Sequence, residues 1–216
     1  MEKKIFRLRI AFALGSIALM TSSCFSGDRG DSVTAHDVCG GLSEAAASAM
    51  EKITATEEFG KDSVSGKEEF TDALLSDLKA GREGKEREFC RVHPDKNKDS
   101  PVPRIHFGMQ DRDDIPPEKE TAVVGEEDFP FALRATSTYT SADVYFECRS
   151  TSTERNSREH PVVHGKLSYG PRLVGGEGGL DAIKLHMDIL QHVARNIAGE
   201  LGCEDHGDIP ERDEAW

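Results

Sequence analysis

The chain has 216 residues, with 40 acidic against 27 basic side chains and a net charge of −13. That deficit of positive charge argues against nucleic acid or an anionic lipid surface as a partner, since both call for basic patches. The length allows one ordinary domain with a real core, or two small halves.

The N-terminal residues carry Lys3, Lys4, Arg7 and Arg9, then an apolar run from Ile10 to Met20, then Thr21, Ser22 and Ser23 before Cys24. A basic region, a short apolar region and a small-residue site read as an export signal that is cut away. The apolar run is eleven residues, whereas a spanning helix takes about twenty. Residues 1–23 are therefore expected to be a signal peptide. Ser22-Ser23-Cys24 resembles the lipobox of bacterial lipoproteins, which implies that the Cys24 sulfur takes a diacylglycerol and that residues 24–33 form a lipid-anchored tether. Two or more acyl chains make such an attachment durable where one does not. Ordinary secretory cleavage and an uncleaved anchor are the alternatives. Without residues 1–23 the chain loses four basic and one acidic side chain and carries a net charge of −16.

Beyond the tether, Leu42, Ala46, Ala49 and Ile53 recur at helical spacing and predict a first helix within 36–59, weakened at its start by Gly40 and Gly41. Ser65 with Glu68 forms a capping box for a second helix over 66–80, closed by Gly81. The period then shifts to two. Phe89-Cys90-Arg91 reads as a strand, followed by Ile105, Phe107 and Met109, then a segment from Phe129 to Thr138, then Val144, Phe146 and Cys148, then Val163, Leu167 and Tyr169. The connections are hairpin-sized, which favours an antiparallel sheet. The last helix, 180–201, carries one continuous apolar stripe of Ile183, Met187, Leu190, Ala194, Ile197 and Leu201, with Lys184, Asp188, Gln191 and Arg195 away from it. His186 flanks that stripe, His192 lies on the solvent side, and 207–216 reads as a flexible tail.

With Cys24 set aside, Cys39, Cys90, Cys148 and Cys203 remain, an even number in an exported chain, so two disulfides are expected. Three connectivities are open. A weak internal echo organises them: each of two halves, 34–115 and 125–206, has a Cys-bearing strand, a polar loop, a returning strand and a helix with a Cys near its end. Pairing within each half gives Cys39 with Cys90 and Cys148 with Cys203, while a Cys39–Cys203 bond between neighbouring chain ends is the alternative.

The lipobox-like leader, the Val38-Cys39-Gly40-Gly41-Leu42 opening, the Phe-x-Cys-Arg strand and the ending Ala198-Gly199-Glu200-Leu201-Gly202-Cys203 resemble actinomycete secreted lipoproteins of unknown function. The resemblance implies location and disulfides, and it brings no catalytic residues with it.

Several strings mimic chemical motifs. His93-Pro94-Asp95 looks like the signature loop of J-domain co-chaperones, but a strand precedes it and Pro101 and Pro103 follow, so a polar hairpin tip is expected. Asp95, Asn97 and Asp99 open like a calcium loop, yet Ser100 and His106 stand where Gly and Glu are needed; Asp111, Asp113 and Asp114 offer a second acidic loop. His36, Cys39, Cys203 and His206 could form a zinc site only if the cysteines stayed reduced. His160 and His164, in an extended segment, share a face ~13 Å apart, too far for one ion. Ser168 lies in a string one residue too long for a nucleophile elbow. Gly175–Gly179 precede a helix without the Lys-Ser/Thr of a phosphate loop.

The expectation is an α+β domain over 34–206: an antiparallel sheet of four or more strands, about three packed helices and two disulfides. No catalytic, cofactor or metal residue is assigned. The expected role is a non-catalytic lipoprotein on the extracytoplasmic side of the cell membrane, binding a protein or small molecule of unknown kind. An envelope enzyme with an unrecognised site and a calcium- or metal-binding lipoprotein are the alternatives.

Overall fold

The computed structural model describes residues 32–63, 67–95, 101–118, 125–150, 160–170 and 179–211. In chain order the elements are β1 (Ser32–Val33), α1 (Glu44–Thr54), β2 (Phe59–Gly60), α2 (Lys67–Ala80), β3 (Glu86–Arg91), β4 (Arg104–Gln110), β5 (Glu126–Phe129), β6 (Arg134–Thr138), β7 (Ser141–Glu147), β8 (Val162–Ser168) and α3 (Gly179–Glu200). Strands β3 to β8 form one six-stranded sheet in the order β3-β4-β8-β7-β6-β5, every pair antiparallel, and β1 pairs with β2 apart from it. The fold is α+β, as expected from the sequence.

Alternation sets the inner face of the sheet. Ile105, Phe107, Val144, Phe146, Val163 and Leu167 are all fully buried, and α3 lays its apolar stripe over β6, β7 and β8 while α2 covers β3 and β4. Phe70 of α2 meets Phe89 and Phe107 edge-on, with ring centroids 4.9 and 6.1 Å away, a geometry that adds to plain burial. Gly165 sits opposite Phe107 in the β4–β8 pair. A Cβ there would come within 2.5 Å of the Phe107 ring, so glycine is what lets the ring lie over β8.

The two halves suggested by the internal echo meet along β4 and β8, which pair over their full lengths, and they share one hydrophobic core. The first helix starts later than the periodicity predicts. Cys39, Gly40 and Gly41 have φ of 49°, 75° and 101°, left-handed values that break a helix, and α1 opens only after Ser43, whose Oγ accepts from Ala46 N at 3.3 Å. The segment expected as one strand from Phe129 to Thr138 is a hairpin, because Ala132 turns the chain with φ 56° between β5 and β6.

Both expected domain boundaries shift outward. Ser32 and Val33, assigned to the tether, pair with Gly60 and Phe59. Residues 207–211, assigned to a flexible tail, are packed: Ile209 is 1% exposed, Ala132 N donates to Asp208 O at 3.2 Å, and Gln191 Nε2 donates to Pro210 O at 2.9 Å.

Candidate functional site

The cysteines join as Cys39–Cys90 and Cys148–Cys203, with Cα separations of 5.1 and 4.7 Å, the pairing favoured by the internal echo. Cys39 lies in a single turn before α1 and Cys203 directly after α3. Each bond therefore ties an end of the domain to a strand at the sheet. The same bonds rule out the Cys2His2 zinc arrangement of His36, Cys39, Cys203 and His206. Cys24, the expected lipid attachment point, lies outside the described residues, as do Asn97, Asp99, Ser100 and residues 175–178.

His93-Pro94-Asp95 leads out of β3 in a hairpin with β4 and joins no helices. Gly60 N donates to His93 O at 2.9 Å and Asp95 N to Glu58 O at 3.0 Å, so the string fastens β2 to the sheet. Asp111 caps its own turn by accepting from Asp113 N at 2.9 Å. Among the described residues no group of three His, Cys, Asp or Glu side chains is placed to hold a metal ion. His164 of β8 instead bonds Asp143 of β7, Nε2 to Oδ1 at 2.9 Å. Its ring stacks on Tyr145 at 4.3 Å, and burial, with the Asp143 charge second, pushes the Tyr145 hydroxyl up to about 12.

A groove of about 660 Å³ lies between α1, α3 and the C-terminal segment, lined on α1 by Ser43, Glu44, Ala45 and Ser48. From α3 it takes Asp188, Gln191, His192, Arg195 and Asn196, and the far wall is Pro210 and Glu211. The five α3 residues follow helical spacing and form a second, polar stripe beside the apolar one. The sequence placed Asp188, Gln191 and Arg195 away from the apolar stripe and His192 on the solvent side. That second face is covered as well: Asp188 is 5% and Gln191 2% exposed, because α1 and the returning C-terminal segment both pack against α3. The small side chains of α1, Ala46, Ala47 and Ala49, are nearly fully buried and allow the close approach.

Hydrogen bonds fix the walls. Ser43 N donates to His192 Nε2 at 3.2 Å, and Asn196 Nδ2 and Gly41 O lie 3.0 and 3.3 Å from the same nitrogen. Arg195 donates to Ile209 O and to Glu211 Oε1, the latter at 3.2 Å. Gln191 spends its amide nitrogen on Pro210 O, and its buried amide oxygen has no hydrogen-bond partner among the described residues. A buried acceptor left in that state costs about 1–3 kcal/mol. The sequence signal for this stripe was the 188, 191, 192, 195, 196 spacing itself, which a search for apolar periodicity passes over.

No family model, curated protein or solved structure matches this chain. The groove is therefore interpreted from its own residues.

Proposed function

We propose that this protein is exported, held by lipid on Cys24 to the extracytoplasmic side of the cell membrane, and acts there as a binding or accessory protein of the envelope. The observation that carries the proposal is the pair of disulfides, Cys39–Cys90 and Cys148–Cys203, since such bonds persist in oxidising compartments and are rare in the cytosol. The basic and apolar leader, the lipobox-like Ser22-Ser23-Cys24 and the resemblance to actinomycete secreted lipoproteins support the same location. The groove supports the binding role: its volume of about 660 Å³ falls in the range of small-molecule sites, about 300–1,000 Å³.

Intact-mass measurement and non-reducing peptide mapping of protein from the membrane fraction test the proposal. The expected result is a chain beginning at an acylated Cys24, with two disulfide-linked peptide pairs. Native protein recovered from cytosol with Met1 in place and all cysteines reduced would overturn it.

A further inference from the structure

We propose that residues 205–211 are a gate on the groove, a strap that swings off α3 as a unit while the rest of the domain stays folded. Strain gives the first reason. Asp205, His206, Gly207 and Asp208 follow one another with φ of 46°, 52°, 69° and 58°. L-residues visit this left-handed region singly, so a run of four, three of them with a Cβ, is held there only by what it touches. Ala132, with φ 56°, shares the seam, because its N–H donates to Asp208 O at 3.2 Å. Lifting the strap frees both stretches of backbone at once.

Burial gives the second. Within the strap only Gly207 and Ile209 are buried, and a segment with few buried apolar contacts opens more readily than the core it lies on. Its ties to α3 are Gln191 Nε2 to Pro210 O at 2.9 Å and the Arg195 guanidinium to Ile209 O and Glu211. Gly207 makes the closest fit: a Cβ there would come within 2.6 Å of the Phe146 ring, which is fully buried and has nowhere to move. The hinge is fixed. Cys203 is bonded to Cys148 and Glu204 N donates to Arg149 O at 2.7 Å, so opening stops short of α3. It removes the far wall of the groove, Pro210 and Glu211, and uncovers α3 at Gln191 and Arg195.

Native-state hydrogen exchange of the full chain in detergent, read amide by amide by NMR, tests the gate. Ala132 and Leu133 are neighbours, yet Ala132 N is held by the strap and Leu133 N by Tyr145 O of the sheet. Corrected for intrinsic rates, Ala132 should exchange at least about 100-fold faster than Leu133 and respond little to low urea, whereas Leu133 follows global unfolding. The Gln191 side-chain amide, on the other side of the strap, should show the same weak urea response as Ala132. Gly207→Ala bars the closed seat. In that variant Ala132 should lose its protection while Leu133 stays at least about 100-fold slower, and adding Ile209→Ala should cost no further stability. Equal exchange of Ala132 and Leu133, a Gln191 amide that follows Leu133, a Gly207→Ala chain that does not fold, or additive losses in the double variant overturns the proposal.

Discussion

Asp77, near the end of α2, has a side chain with no exposed surface and gathers three cations from the α2–β3 turn and β3. Arg82 lies 2.7 Å away, Lys85 3.6 Å, and Arg87 donates through Nε. The hydrogen bond from Arg87, working against burial, holds the Asp77 carboxyl down at about 2 instead of 3.8. A depressed carboxylate gives stability that is complete above the unfolded value and lost as pH falls through the folded one. The domain should therefore lose stability between about pH 4 and pH 2, and Asp77→Asn should flatten that limb while lowering stability at neutral pH by about 2 kcal/mol, an amount reduced by the half-exposed Arg82 and Lys85. Urea unfolding across pH reads both; an unchanged acid limb in the variant would count against the cluster. His186 acts in a different window. It is 1% exposed, its Nδ1 donates to Thr138 O at 3.0 Å, and burial pulls its pKa below 6.5. The unfolded chain then binds a proton near pH 6.5 that the folded chain refuses, so stability drops as pH falls from 6.5 towards the folded value. His186→Gln should remove that slope below pH 6.5, measured as the shift of the urea midpoint.

At the scale of elements, the sequence was most legible where one side of an element is apolar and the other polar. The stripe of α3 and the alternation of β4, β7 and β8 survive almost residue for residue, since burial against the sheet is what generates those periods. The groove was not legible, because periodicity marks the face that packs on apolar surface and is silent when a polar face is covered too, as α1 covers Asp188 and Gln191. The β5–β6 hairpin was missed for a backbone reason: Ala132, a residue with no turn preference, adopts φ 56° because Asp208 O accepts its N–H from far along the chain. The C-terminal segment was missed the same way. Asp205, His206, Gly207 and Asp208 all have positive φ, from 46° to 69°, and each non-glycine there costs about 1–2 kcal/mol. Burial of Ile209 and the bonds to Ala132 N, Gln191 and Arg195 offset that strain and hold the far wall of the groove. Ile209→Ala should accordingly lower stability by about 2–4 kcal/mol in chemical denaturation, whereas a solvated tail would register no change.

For the whole molecule the arrangement of the two disulfides decides how it can fail. Cys39–Cys90 spans 51 residues and Cys148–Cys203 spans 55, and the two loops share no residue. On the chain-entropy account each closure removes about 4 kcal/mol of freedom from the unfolded chain. Because the loops are disjoint, these two constraints on the unfolded chain are independent and should add. The folded side is different: β4–β8 pairing joins the two hairpins into one sheet, so neither half has a core of its own to retreat to. Replacing Cys39 and Cys90 with serine should cost about 2–4 kcal/mol, replacing Cys148 and Cys203 about the same, and replacing all four about the sum. Against a total of about 5–15 kcal/mol for a domain, the four-serine protein should lose a large part of its stability, with sheet and helices lost in a single transition. Denaturant titration of the three variants beside the parent, followed by far-UV circular dichroism, measures each term. A four-serine chain as stable as either two-serine chain would mean that the bonds act on one shared constraint. Two separate transitions would mean that the sheet divides between β4 and β8 after all.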